Sequence, residues 1–341
     1  MKFNHIRRTF LGAATALMVA GAGMAQAADG KSYLLATAST GGTYYPVGVA
    51  IATLIKVKLQ PSMGIGMSAI NSAGSAENIK LIREKEAEFA ILQGLYGSYA
   101  WNGSGPLEND GKQTHLRSVS MLWQNVEQFL LKSEHAKTGT IEDMVALKGE
   151  GKMAFGKKIS GTIGSNRTIF SNLGVDIDND YELTYGGYGP SADALQNGQV
   201  DGIGVPSGPP TGAVTKLLAA AGDDVTLLNF TDEQLQQADG GLGLWTRFVI
   251  PAGTYPGQDE DVNTIAQPNF LAVHADVDEE AVYQITKTLY ENLAFLSGIH
   301  KATAAMSLDA ALAGLPAPLH PGAARYYREA GLEIPDSLIA K

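Results

Sequence analysis

No cysteine occurs in the 341-residue chain. That absence excludes a disulfide framework, a thiolate metal site, a catalytic thiol and a lipid-modified cysteine at an export cleavage point. Long apolar runs are missing too. The stretch at residues 10–19 is shorter than the roughly 20 residues a bilayer-spanning helix needs, and nothing comparable follows it. Basic charge is in short supply: 25 Lys and Arg stand against 35 Asp and Glu, and Lys2, Arg7 and Arg8 are spent at the extreme N-terminus. A surplus of acid repels a phosphate backbone, so nucleic acid is not an expected partner.

Catalytic signatures are absent as well. The chain has no G-x-S-x-G elbow, no G-x-x-x-x-G-K-[ST] phosphate loop, no H-E-x-x-H and no G-x-G-x-x-G between strand and helix. Its six histidines are scattered, with no local pair at metal-ligand spacing. No catalytic residue, metal ligand or cofactor is therefore expected, although distant residues can still converge in space.

What is present starts with an export signal. Lys2, Arg7 and Arg8 precede the apolar stretch, and the small residues Ala25-Gln26-Ala27 close it just before Ala28, the three-part layout of a secretory signal peptide. Residues 1–27 are expected to be removed near Ala27, leaving a free periplasmic protein. The order Arg7-Arg8-Thr9-Phe10-Leu11 also resembles a twin-arginine signal, so either the Sec or the twin-arginine route fits. The roughly 300 remaining residues suffice for two cores at about 100–200 residues per domain.

The remainder alternates strand and helix signals. An apolar segment at 33–38 runs into Gly41-Gly42-Thr43, and Pro46 opens an apolar stretch reaching Leu59; this reads as strand, turn and helix. Ile79 and Ile82 recur at helical spacing before a compact strand at 89–92. Residues 118–131 read as a strand leaving one lobe for another, interrupted by Gln124, Asn125, Glu127 and Gln128. A second series follows: a capping box at Thr140-Ile141-Glu142-Asp143, a strand at 152–155, the turn Ser160-Gly161-Thr162 and a helix through Leu173. Ser191 is expected to cap a helix ended by Gly198, and 200–205 reads as a strand. The Pro-, Gly- and acid-rich segment 245–263 suits a return crossing. Beyond it come a strand at 270–273, a helix capped by Asp278 with Val282, Ile285 and Leu289 on one face, and a last helix from Pro321 to Gly331. The expected architecture is an α/β, two-lobed, type II-like periplasmic binding protein with its cleft between lobes joined by crossing strands. Lobe I would comprise residues 28–124 with 263–341, and lobe II residues 125–262.

Three loops share one character: STGGTYYP at 39–46, NSAGSAEN at 71–78 and ISGTIGSN at 159–166. Each joins a predicted strand to a predicted helix. Helix N-termini expose unpaired N–H groups and the positive end of the macrodipole, so small and hydroxyl residues there can hold a carboxylate. Ordinary turn and cap chemistry explains any one loop equally well. Three of them, split between two lobes and set beyond the carboxyl ends of strands, point to a ligand cleft. Tyr44 or Tyr45 could wall the pocket and Gln93 could offer a donor and an acceptor. Trp123 lies near the crossing, and Lys157 and Lys158 flank the third loop, where they could meet an anion or simply be solvated.

At these loops the sequence resembles the TAXI family of solute receptors, the extracytoplasmic binding subunits of a subgroup of TRAP transporters. The resemblance runs through TASTGGTYYPVG (37–48), GSAEN (74–78), AWNGSGP (100–106), SGT (160–162), NGQVDG (197–202), TYPGQ (254–258) and PLHPGAARYYREAG (318–331). It implies two α/β lobes closing on a small carboxylate, glutamate or a related C4–C5 acid, and delivery to an ion-gradient-driven TRAP permease. The ligand-binding residues it implies are Gly41, Gly42, Thr43, Tyr44, Gly74, Ser75, Gln93, Ser160, Gly161 and Thr162. Ser165 and Asn166, and Gly94-Leu95-Tyr96 after Gln93, depart from what many relatives carry and leave the ligand's identity open. The same fold could present its ligand to a membrane sensor kinase instead. A periplasmic enzyme on a two-lobed scaffold is a third reading and predicts substrate turnover.

Overall fold

The computed structural model describes residues 30–340; the expected signal peptide, residues 1–27, lies outside the described residues. Strands β1 (Lys31–Ala36), β2 (Ile65–Ile70) and β3 (Phe89–Gln93) pair in parallel around β1. Parallel neighbours need crossovers, supplied by α1 (Tyr44–Met63) and α2 (Ser75–Arg83). After β3 the chain turns at once into α3 (Gly94–Asn102) and then enters the long strand β4 (Leu116–Val126). Only Glu127 and Gln128 separate β4 from β5 (Phe129–Lys132), which belongs to a different sheet.

That second sheet has the order β7-β6-β8-β5-β9, with β6 (Lys152–Ala154), β7 (Glu182–Leu183), β8 (Gly202–Gly204) and β9 (Val225–Leu227). Its helices are α4 (Glu142–Val145), α5 (Gly161–Asn172), α6 (Ile177–Asp180), α7 (Tyr188–Gln196), α8 (Gly212–Ala221) and α9 (Asp232–Asp239). The chain returns through β10 (Thr246–Ile250) and the 13-residue β11 (Val262–His274). β11 pairs with β10 near its start, with β3 near its end and with β4 along its length, all antiparallel. Helices α10 (Glu279–Tyr290), α11 (Leu293–Ile299) and α12 (Pro321–Glu329) complete the first lobe. This mixed α/β arrangement in two sheets is the two-lobed architecture the sequence leads one to expect.

Period-2 alternation explains why both sheets are covered on two faces. Leu35, Phe89, Ile91, Leu271 and Val273 face the core under α1 and α10, while Ala36, Ala90, Leu92, Phe270 and Ala272 face the core under α2. In the second lobe Phe129, Leu131 and Met153 lie on one face, and Leu130 and Ala154 on the other. Phe129, Phe155 and Phe170 meet there at ring separations of 5.0–6.4 Å.

Several local expectations hold. Asp278 accepts from Ala281 N–H at 3.0 Å at the start of α10, and Pro321 opens α12. Others are corrected. Ser191 lies inside α7, whose cap is Gly187, because the helix begins already at Tyr188. Thr140 makes no capping box: Asp143 turns backwards and accepts from the N–H groups of Thr138 and Gly139. The reciprocal box occurs at Thr231 and Gln234 on α9, where no apolar run drew attention to it. Segment 245–263 contains a strand, β10, and the crossing itself is made by β11, of which 270–273 is only the end. Pro268 and the polar residues around it hide the rest of that strand; Pro268 sits at a register shift, where the missing N–H breaks no regular ladder.

Phe170→Ala should empty the centre of the second lobe's aromatic cluster. Denaturant unfolding is expected to register a loss of about 3–5 kcal/mol, the usual range for a buried Phe; a loss below about 1 kcal/mol would mean that the cluster contributes little.

Candidate functional site: a cleft between the lobes

Parallel strands and their crossovers direct the helix N-termini to one edge of each sheet, and the two edges face each other. The starts of α1, α2 and α3 on one side meet those of α5 and α7 on the other. Between them is a cavity of about 30 Å³, room for little more than one or two waters. Gly42, Thr43, Tyr44, Gly74, Ser75, Gln93, Ser160, Gly161 and Thr162 all line it. Gly41 does not: it sits beside the cavity, where its carbonyl accepts from Ala213 N–H of α8 at 3.1 Å.

Each lining side chain is fixed by a local requirement. Ser160 caps α5 and accepts from Ile163 N–H at 3.2 Å. Gly74 has φ +116° and ψ −157°, a backbone state essentially reserved for glycine, and this lets α2 start sharply after β2. Ser75 Oγ accepts from Gln93 N–H at 3.1 Å, tying the start of α2 to the end of β3. Thr43 does not cap α1 with its side chain. Its N–H donates to Ser207 Oγ at 3.0 Å, Ser207 Oγ donates to Thr43 Oγ1 at 3.0 Å, and Thr43 Oγ1 donates to Gly208 O at 2.6 Å. The first lobe is thereby laced to the second.

Further bonds cross the same seam, and others brace its two walls. Gln93 Nε2 donates to Gly161 O at 3.0 Å, and Lys157 Nζ donates to Ser72 O at 3.2 Å. Thr162 Oγ1 lies 2.9 Å from Tyr188 Oη, which donates to Pro206 O. Tyr44 donates to Asn269 Oδ1 and meets Trp123 edge-on at 5.9 Å; burial holds its phenol well above the ordinary value. Trp123 itself belongs to the core, and Tyr45 and Lys158 do not line the cavity. Lys158 lies over the Tyr185 ring instead.

Sequence reasoning missed Asn125, Tyr188 and Ser207 as lining residues. Two signals were available: Asn125 is a polar residue inside an apolar crossing strand, and GGYG at 186–189 repeats the glycine-rich strand-to-helix pattern. Ser207 has no such signal, since it reaches the cleft only through the packing of the loop after β8.

Glu127, at the break between β4 and β5, is 1% exposed, and burial pushes its carboxyl up to about 8 despite a 3.2 Å hydrogen bond from Trp245 Nε1. At neutral pH it is therefore largely a neutral acid.

A family model described as NMT1-like matches residues 35–331. The chain belongs to the NMT1-like family. Its fold is similar to that of PhnD1 from Prochlorococcus marinus (MIT 9301), solved with methylphosphonate, at 13% identity over 80% of this chain and 91% of that one, with a TM-score of 0.50. The alkanesulfonate-binding protein SsuA from Xanthomonas axonopodis pv. citri, bound to MOPS, aligns at 14% identity over 89% and 92% of the two chains, with a TM-score of 0.47. Among the described residues of this NMT1-like protein, no helix is long and apolar enough to cross a membrane.

Two variants test this geometry. A Cβ at Gly161 would stand 2.8 Å from Gln93 Oε1 and 2.9 Å from Ser75 Cβ, so Gly161→Ala should hold the lobes apart, and small-angle scattering should register a larger radius of gyration than in the wild type; an unchanged radius would rule out this contact as a limit on closure. Glu127 is the second. A carboxyl raised in the folded state contributes stability that is fully present below its ordinary value of 4.5 and lost as pH rises through about 8. Thermal midpoints between pH 5 and 9 should therefore fall more steeply in the wild type than in Glu127→Gln, and parallel slopes would rule out a buried neutral acid.

Proposed function

We propose that this protein is an extracytoplasmic solute receptor of the TAXI type that binds a small carboxylate, glutamate or a related C4–C5 acid, and delivers it to a TRAP-type, ion-gradient-driven permease. One observation carries the ligand class. Helix N-termini from both lobes face one cavity, Lys157 is the cationic side chain among its lining residues, and no Asp or Glu lines it. Aligned dipoles and an ammonium favour negative charge there, although Glu77 already accepts from Ala73 N–H at the start of α2. The sequence resemblance at the three loops supports the transport partner, and the binding-protein fold supports export to the periplasm.

The mechanism follows from the seam. A cavity of about 30 Å³ is too small for a five-carbon acid, so capture requires the lobes to part. Parting breaks the Thr43–Ser207, Gln93–Gly161 and Lys157–Ser72 bonds. A carboxylate entering the open cleft replaces these with charge-assisted bonds of its own, and closure over it is favoured to the extent that the closed form holds it better. The crossing strands are the natural bending elements, and the closed, loaded form is the one that docks on the permease. No covalent step is involved.

Ligand-stripped protein heated with dicarboxylates, amino acids and keto acids should unfold at a higher temperature with at least one C4–C5 acid, since a ligand bound only to the folded state stabilises it. Lys157→Gln should cut that ligand's affinity about tenfold, roughly 1.4 kcal/mol. Failure of every carboxylate to raise the unfolding temperature would overturn the carboxylate reading.

A further inference from the structure

Asn125 on β4 is 1% exposed and lines the cavity, yet its Oδ1 has no hydrogen-bond partner. Leaving such an acceptor unmade in a buried position is costly, so an orphan here calls for an explanation. Its orientation is fixed by a short chain of bonds. The Gly161 carbonyl can only accept, which obliges Gln93 to present Nε2 to it at 3.0 Å. Gln93 then turns Oε1 towards Asn125, whose Nδ2 donates to it at 3.4 Å. Asn125 is left with an unpartnered acceptor, Oδ1, beside the one unused N–H of Nδ2.

Asn125 is joined through Gln93 to two helix starts. Gln93 links Asn125 on one side to Gly161 at the start of α5 and, through its own N–H, to Ser75 at the start of α2. The anion-seeking helix ends and the lone acceptor are thus within reach of one small molecule. A plain dicarboxylate satisfies the first and repels the second, because every oxygen it carries is an acceptor. A ligand with an amino or hydroxyl group near its carboxylate satisfies both.

Resting on the carboxylate reading above, we infer that Asn125 is a specificity-determining residue, and that the cleft selects an acid bearing a hydrogen-bond donor, an amino or hydroxy acid, over its unsubstituted or keto counterpart. A site built to pair with a donor rejects analogues lacking it more strongly than apolar contact can.

Matched series separate this from the broader reading: glutamate and 2-hydroxyglutarate against glutarate and 2-oxoglutarate, and malate and aspartate against succinate, each titrated calorimetrically into wild type, Asn125→Leu and Asn125→Ser. In at least one series the donor-bearing acids should bind tenfold or more tighter to wild type, with the keto acid weakest. Asn125→Leu should abolish the gap, and Asn125→Ser, which keeps an oxygen, should retain part of it. Equal affinity for substituted and unsubstituted acids overturns the role of Asn125 and leaves the carboxylate receptor standing, as does a gap that survives in Asn125→Leu. No binding in either series overturns both. The wild-type comparison stands even if a variant does not fold.

Discussion

The antiparallel pairing of β4 with β11 is the constraint on which the cleft depends. Both strands leave the first lobe's sheet and reach the second lobe, and they are strapped together where they do so: Glu127 N–H donates to Ile265 O at 2.9 Å and Thr264 Oγ1 donates to Glu127 O at 2.6 Å. The pair is a long ladder that runs through both strands, and it fixes which edges of the two sheets oppose each other. Gln128 carries the constraint to the cleft. Its Nε2 donates to the carbonyls of Val205 and Ser207, holding the loop whose serine laces to Thr43.

The crossing is unusually polar for a buried region: Asn125, Glu127, Gln128, Gln267 and Asn269 are each at most 2% exposed. Burying such groups is costly unless each finds a partner. Gln128 is well satisfied, Glu127 avoids the cost of a buried charge by keeping its proton, and Asn125 Oδ1, Gln267 Nε2 and Asn269 Nδ2 are left unmatched. Polar pairing specifies register and orientation in a way that apolar packing does not.

The bonds across the seam are individually weak in net terms, about 0.5–1.5 kcal/mol each. On the proposed mechanism, a form held closed by a few such bonds would be separated from an open one by a free energy that a small ligand can match. Because each helix N-terminus is joined to a strand of its own sheet, such an opening would move two preassembled half-sites.

Much of the fold was legible in the sequence because it is written in local chemistry. Strand-to-helix transitions at Gly41-Gly42, Gly74 and Ser160-Gly161 need residues that turn tightly and cap helices, and those residues are recognisable wherever they occur. The apolar alternation at 89–92 and the spacing of Val282, Ile285 and Leu289 declare their periods in the same way. Where burial was polar, the reading faltered: most of β11 and all of β10 escaped it, since Pro268, Gln267 and Asn263 look like loop residues until a partner strand is beside them. Ser191 was mistaken for a cap because hydroxyls signal caps only when the helix boundary is known.

The alternation of elements, the location of the glycine-rich loops and the acidic, cysteine-free character are set by the order of residues alone, because propensity and charge act over a few residues. Which loops meet was decided by tertiary structure. Gln93 and Gly161 are 68 positions apart, Thr43 and Ser207 are 164. Pairings at that range follow from sheet order and from the angle at which β4 and β11 cross, and neither is encoded in any single stretch of chain. The free oxygen of Asn125 belongs to the same class, since an unmet hydrogen bond exists only once every neighbour has taken its place.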